Sequence, residues 1–173
     1  MLLILDVDGV LTDGKKYYDN TGKGVYKTFS DRDFTAIKQF KAIGWSVVFL
    51  SGDRNINESI ANNRSIPFYC NRDADGMIDK VTFLSAFEKT YSVTRDEMVY
   101  VGDDIFDINI MNEVKYAYCP NNAPLQVQDV AMVLNKNSGD DLVVALWDYW
   151  VERQLLTPPT IEQLIEIDRN EKF

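Results

Sequence analysis

Histidine is absent from the 173-residue chain. Its absence removes Ser-His and Cys-His nucleophile systems and the His-rich zinc sites together. Any catalysis must therefore rest on carboxylates, hydroxyls, lysine or a bound metal. Cysteine is scarce too. Cys70 and Cys119 sit in separate apolar, strand-like runs with no CxxC or Cys/His grouping, and read as core packing rather than redox or metal chemistry. Basic residues are outnumbered, 18 Lys and Arg against 27 Asp and Glu, for a formal net charge of −9. Without a basic stripe, that field argues against nucleic acid as a partner. It leaves room for a small anionic substrate where a few cations converge or a divalent metal is held. Membrane-spanning runs are lacking: MLLILDVDGVL is too short, is broken by Asp6 and Asp8, and has no basic start or cleavage site. The expectation is a cytoplasmic protein with no membrane partner. Repeats and Ser/Gly linkers are missing as well, and 46% hydrophobic content over this length suits a single domain, residues 1–173.

What is present alternates. Met1 to Val7 is a continuous apolar run ending in acids and Gly9, the pattern of a buried central strand. Residues 15–29 hold two β-like stretches, Lys15 to Tyr18 and Val25 to Phe29, about a turn-rich centre from Asn20 to Gly24, predicting a β-hairpin flap. Phe34, Ile37, Phe40 and Ile43 recur at three-residue spacing before Gly44, predicting a helix. Strands follow at Trp45 to Leu50, Phe68 to Cys70, Met98 to Val101 and Tyr116 to Cys119, with a further apolar stretch from Ala131 to Leu134. Helices fall between them, at Ile56 to Asn63, Lys80 to Thr90, after Asp104 and after Pro124, and a long one closes the series from Asp140 to Gln154. Pro158-Pro159 breaks that helix, and Ile161 to Ile167 forms one more in a tail, residues 157–173. Such alternation predicts an α/β fold, a Rossmann-like parallel sheet covered by helices on both faces.

Two of the apolar strands empty into acids. The first runs into Asp6-Val7-Asp8-Gly9-Val10-Leu11-Thr12-Asp13-Gly14, the later one into Gly102-Asp103-Asp104-Ile105-Phe106-Asp107. Ligands in open α/β sheets bind beyond the carboxyl ends of the strands. Asp6 and Asp8, two apart, can address one ligand while Val7 packs away. Paired carboxylates at a buried strand end repel and lose solvation, a cost that a cation relieves. As parallel neighbours the two strands would gather Asp6, Asp8 and Asp103 around one hard cation, for which magnesium is suited. Capping of the next helix is the alternative role for Asp104 and Asp107. Ser51-Gly52 ends another strand, placing a hydroxyl and free N–H groups where a phosphoryl oxygen can be held, although the pair is also an ordinary strand-to-loop turn. Lys80 opens a helix, where a cation is disfavoured unless an anion lies nearby; an exposed lysine is the plainer alternative.

The order Asp-x-Asp-Gly-Val, Ser-Gly, Lys, Gly-Asp-Asp-x-x-Asp resembles the four motifs of the haloacid-dehalogenase-like phosphatases, over most of the chain. With a hairpin in place of an inserted cap domain, it is similar to the capless subgroup that acts on sugar-acid phosphates of the 3-deoxy-D-manno-octulosonate 8-phosphate and sialic-acid 9-phosphate type. The resemblance implies Asp6 as nucleophile and Asp8 as general acid and base. It also implies that Ser51, Gly52 and Lys80 hold the phosphoryl group, and that Asp6, the Asp8 carbonyl and Asp103 bind magnesium. Asp104 and Asp107 would serve metal-bound water and Lys80, and Arg54 the substrate. A homotetramer built through the hairpins, whose Tyr17, Tyr18, Val25, Tyr26 and Phe29 sit on an element too small to bury them alone, is implied too, with residues 157–173 reaching toward a neighbouring site. Two departures stand out: Asp53 occupies the place after Ser-Gly where the subgroup tends to carry Arg, and Asn137 to Asp141 offers acids where a basic residue is usual. A phosphoacceptor signalling domain shares the residue types, but its acceptor would end the strand that here ends in Ser51-Gly52. An idle interaction module is hard to square with all five motif residues being present.

Overall fold

The computed structural model describes residues 1–172, with Val25 described by its backbone alone. At its centre β1 (Leu2–Leu5) lies between β4 (Ser46–Ser51) and β8 (Met98–Val101), parallel to both, with Leu2 opposite Ser46 on one side and Met98 on the other. β5 (Phe68–Cys70) extends the sheet beyond β4, and β9 (Tyr116–Cys119) and β10 (Met132–Val133) extend it beyond β8. All five pairings are parallel. Alternate residues face opposite ways. Leu3, Leu5, Val47, Phe49, Val99 and Val101 therefore join one core with α1 (Asp31–Ala42) and α6 (Leu142–Glu152). Leu2, Ile4, Val48, Leu50, Met98 and Tyr100 join the other, under α3 (Leu84–Tyr91) and α4 (Ile108–Met111). Burial on both faces is why β1 reads as an unbroken apolar run rather than an alternating one.

From β1 the chain moves outward through β4 and β5, then returns to the opposite side for β8, β9 and β10. That reversal leaves a crevice at the carboxyl ends of β1 and its neighbours. Asp6, Ser51 and the Gly102 loop all lie there.

Two hairpins flank the crevice. The expected one is shorter than residues 15–29: β2 (Tyr17–Tyr18) pairs antiparallel with β3 (Gly24–Tyr26), and Tyr17 stacks on Tyr26 at 4.5 Å. Asp19 organises its turn, its carboxylate accepting the N–H groups of Thr21 and Lys23 at 2.8 and 3.0 Å. The Val25 side chain lies outside the described residues. The second hairpin, β6 (Arg72–Asp73) with β7 (Gly76–Met77), occupies a stretch for which the sequence predicts no element. Its Asp73-Ala74-Asp75-Gly76 turn was the available signal: Asp73 accepts the Asp75 N–H at 2.9 Å, and Gly76 takes a φ of +126°.

The helix expected from Lys80 starts as a tight 3-10 turn, Lys80–Phe83, capped by Asp79. Before it, α2 (Asn55–Asn63) leads into β5, and after it α5 (Leu125–Gln128) leads into β10. The tail helix α7 (Ile161–Asp168) is closed by a capping box between Thr160 and Gln163. The tail packs on its own domain. Lys38 pairs with Asp168 and Glu171, Arg64 bonds Glu171 at 3.0 Å, and the Ser65 hydroxyl donates to the Asn170 carbonyl at 2.7 Å. These bonds dock residues 161–172 on the chain's own α1 and the end of α2. Phe173 lies outside the described residues.

Candidate active site

Behind the crevice is a buried, charged knot. Asp6 is tied to the end of β8 by its N–H, which donates to the Val101 carbonyl at 3.0 Å. Its Oδ1 accepts the Val7 N–H at 2.6 Å and its Oδ2 accepts from Lys80 Nζ at 2.5 Å. Lys80, only 3% exposed, also donates to Asp107 Oδ1 at 2.6 Å and to the Tyr100 hydroxyl at 3.0 Å. Tyr100 in turn donates to Asp107 Oδ1 at 2.6 Å, and Asp107 Oδ2 accepts the N–H groups of Asp103 and Asp104 at 3.0 and 3.1 Å. Burial disfavours the Lys80 ammonium, but the attraction of Asp6 and Asp107 outweighs it and raises its pKa. Those two anions explain a lysine at a helix start.

Asp103 is different, because no described side chain neutralises it. Burial, then repulsion from Asp6, Asp107 and Asp104, pushes its pKa up to about 8; burial also lifts Asp6 to about 6, against the pull of Lys80. Asp6, Asp103 and Asp107 each present a carboxylate oxygen within 4.8 Å of the others. Both lone-pair sides of Asp107 are already engaged, so the oxygens left for a ligand belong to Asp6 and Asp103. Three acids against one lysine, all hard oxygen donors, fit a divalent cation. Two glycines permit this crowding. A Cβ at Gly9, whose φ is +81°, would stand 1.9 Å from Asp103 Oδ2, and one at Gly102 would stand 2.4 Å from Asp107 Oδ2. Asp104 lines the cavity and caps the 3-10 turn at Ile105–Asp107 through the Phe106 N–H, so the capping role applies to it.

The rim is built from long side chains. Ser51, buried at the end of β4, accepts through Oγ from Asn57 Nδ2 at 3.1 Å, and the same amide donates to Asp8 Oδ2 at 3.1 Å. Lys27, just past β3, has a buried side chain whose Nζ lies 2.7 Å from Asp8 Oδ1, 2.9 Å from Asp53 Oδ2 and 2.9 Å from Asn57 Oδ1. Lys16 adds a second contact to Asp53 at 2.9 Å. Burial alone would raise the Asp53 pKa, but its bonds to Lys27 and Lys16 hold it below the ordinary carboxylate range. Sequence reasoning missed Lys27 and Asn57; nothing local marks a lysine beside a hairpin or an asparagine in a helix as ligands of a distant acid.

Of the residues predicted from sequence, Asp6, Asp8, Ser51, Gly52, Lys80, Asp103, Asp104 and Asp107 all line one cavity of about 560 Å³. Arg54 is not among them. It lies exposed at the start of α2, with its guanidinium 3.2 Å from Glu58, a helix-surface pair one turn on. Asp140 and Asp141 are also away from the cavity, and Asp141 is engaged by Ser30 and Arg32.

Comparison with known proteins points to one family. The family model for haloacid dehalogenase-like hydrolases matches residues 53–146. The 3-deoxy-D-manno-octulosonate 8-phosphate phosphatase of Haemophilus influenzae is 30% identical over 146 residues, covering 79% of this chain and 74% of that protein. The enzyme of the same name from Escherichia coli K12 is 30% identical over 113 residues, and the match spans 58% of its length. Among solved structures, the cobalt-bound Haemophilus influenzae phosphatase superposes with a TM-score of 0.79 at 29% identity, covering 88% of each chain. A putative hydrolase of the same superfamily from Legionella pneumophila reaches 0.82 at 28% identity, over 98% of this chain and 90% of that one.

Proposed function

The chain belongs to the haloacid dehalogenase-like hydrolases, and we propose that it is a magnesium-dependent phosphomonoesterase acting on a sugar-acid phosphate or sugar phosphate, of the 3-deoxy-D-manno-octulosonate 8-phosphate or nonulosonate 9-phosphate type. The observation that carries this reading is the knot of Lys80 with Asp6 and Asp107 beside the unpaired Asp103. Asp6 is the nucleophile. With Oδ1 and Oδ2 steered by the Val7 N–H and Lys80, its carboxylate attacks phosphorus, the bond from phosphorus to the sugar oxygen breaks, and Asp8 gives that oxygen its proton. Asp8 then takes a proton from the water that attacks phosphorus, which frees Asp6 and releases phosphate. Ser51 spends an oxygen lone pair on Asn57, so its O–H is left to donate to a phosphoryl oxygen. Lys80 supplies charge at the same group, and Asp107 fixes Lys80. Asp6, Asp103 and the Asp8 carbonyl would hold the magnesium, whose chemistry is neutralisation of the phosphoryl oxygens and of the attacking carboxylate.

The chain acts in this reading as one cytoplasmic domain and assembles as a homotetramer through the first hairpin. Exposed Tyr17, Tyr18 and Tyr26 support assembly, because a two-stranded hairpin is marginal by itself. No helix among the described residues is long and apolar enough to cross a membrane, which fits that location. The test of function is phosphate release from an aryl phosphate, sugar phosphates and sugar-acid phosphates, with magnesium and with chelator. Magnesium-dependent turnover that favours sugar-acid phosphates is expected. Equal weak rates on every compound would refute the substrate class, and turnover indifferent to chelation would refute the mechanism.

A further inference from the structure

Three cations line the cavity, and two are spent on carboxylates: Lys16 on Asp53 at 2.9 Å, Lys80 on Asp6 and Asp107 at 2.5 and 2.6 Å. Arg72 is the third. Its Nε donates to the Gly52 carbonyl at 3.2 Å, and no carboxylate of the described residues pairs with its guanidinium. That bond aims the side chain. Ser51 lies opposite Cys70 in the pairing of β4 with β5, and the Asn71 N–H donates to the Ser51 carbonyl at 3.3 Å. Arg72 then opens the second hairpin and folds back over Gly52, where an added Cβ would meet its Nε at 3.7 Å and its Nη2 at 3.9 Å. A guanidinium anchored through Nε keeps both Nη groups for the end-on fork that suits a carboxylate. The nearby acids do not oppose such a ligand. Asp53 is bonded to Lys16 and Lys27, and Asp140 and Asp141 lie away from the cavity.

We infer that Arg72 is a specificity-determining residue, receiving a carboxylate that the substrate carries away from its phosphate. The inference rests on the phosphatase reading of the same cavity. It assigns to the second hairpin the cation that is missing after Ser51-Gly52, where Asp53 stands. The phosphoryl group itself is met by Ser51 and Lys80, so the Arg72 contribution should appear as discrimination between substrates.

The experiment uses the full chain with magnesium and compares kcat/KM on a 3-deoxy-octulosonate 8-phosphate with that on a neutral hexose 6-phosphate. Arg72→Gln is expected to lower the acid-to-neutral ratio by about 10- to 100-fold, mainly through KM for the acid, and Arg72→Lys, which keeps charge but not the fork, to recover part of it. A second measurement needs no variant: the unphosphorylated sugar acid should inhibit the wild-type protein at least about tenfold better than its amide. A wild-type ratio near one overturns the substrate class and this assignment together. A wild-type preference that survives Arg72→Gln overturns the assignment alone, as does equal inhibition by acid and amide.

Discussion

The back of the cavity and its rim both pair acids with lysine, yet they are built by different means. At the back, Lys80 meets Asp6 and Asp107 from buried positions fixed by β1, β8 and the turn at Ile105–Asp107. At the rim, Asp8 and Asp53 are held by Lys27 and Lys16, which arrive from either side of the first hairpin. At the back, removing one charge strands its partners in a low dielectric; at the rim Lys27 is as buried as Lys80, but the Asp8 and Asp53 side chains are 24% and 21% exposed, so solvent can reach them when it is lost. Groups that must keep one geometry belong at the back. Groups that distinguish or follow a substrate belong at the rim.

The sharpest break of this contrast is Asp6→Asn, which keeps shape but removes the nucleophile. Steady-state turnover should fall at least about 100-fold with the fold intact, and beryllofluoride with magnesium should no longer bind; retained turnover would place the covalent chemistry elsewhere. Next in effect is Lys80→Met. It leaves Asp6 and Asp107 facing each other unpaired, and both activity and stability should suffer, the latter by about 3–5 kcal/mol in urea unfolding. Lys27→Met is the matching change at the rim. Turnover should drop by about 10- to 100-fold because Asp8 loses its orientation, while stability falls less than in Lys80→Met. If the two variants lose equal stability, the distinction between back and rim fails.

The same contrast explains what the sequence disclosed. A strand buried on both faces must be apolar throughout, so the abrupt passage from Leu5 to Asp6 or from Val101 to Asp103 stands out, and the parallel order follows from the alternation of elements. Lys80 is legible only through its place in the order of motifs. Lys27, Asn57 and Arg72 are not legible at all, since each has a partner far off in the chain: Lys27 reaches Asp53 across 26 positions, Asn57 reaches Asp8 across 49 and Arg72 reaches Gly52 across 20. The second hairpin, with two residues per strand, is too short to show a periodicity of two.

A gentler perturbation of the back is pH. Asp103, with a pKa near 8, exceeds the ordinary carboxylate value of 3.8, so the metal-free fold favours its protonated form. The sign follows: stability is fullest below 3.8 and is lost as pH rises toward 8, and a cation must displace the proton to bind. Magnesium affinity, measured by calorimetric titration, should therefore weaken by up to about tenfold per pH unit on going down from pH 8. Asp103→Asn should abolish that slope above about pH 6, the region in which Asp6 is ionised. A flat dependence in the wild-type protein would mean that Asp103 is already ionised in the metal-free fold.

The smallest effect on turnover is expected from an acid that shares with Asp103 a raised pKa but lies outside the cavity. Asp33, on α1, is 1% exposed, and its Oδ1 accepts the N–H groups of Val143 and Val144 at 2.8 and 3.1 Å. It thereby caps α6, whose own N-terminal residue Asp141 provides no side-chain cap and takes a φ of +58°. Its Oδ2 is buried without a partner. Burial pushes its pKa up to about 6, the two N–H bonds opposing and Asp141 adding to the rise. Because the folded value lies above the ordinary 3.8, Asp33 contributes its stability below that pH and withdraws it as pH climbs to 6. Asp33→Asn keeps the acceptor for α6 and cannot ionise. Urea unfolding of wild type and variant between about pH 4 and pH 7 should show the wild type losing about 1–3 kcal/mol relative to the variant, with turnover unchanged within about twofold. Parallel stability curves would mean that Asp33 is ionised in the folded chain throughout. A large loss of turnover would mean that α6 positions the cavity, through Gly139 against the Thr12-Asp13 loop, more tightly than the separation of back, rim and scaffold allows.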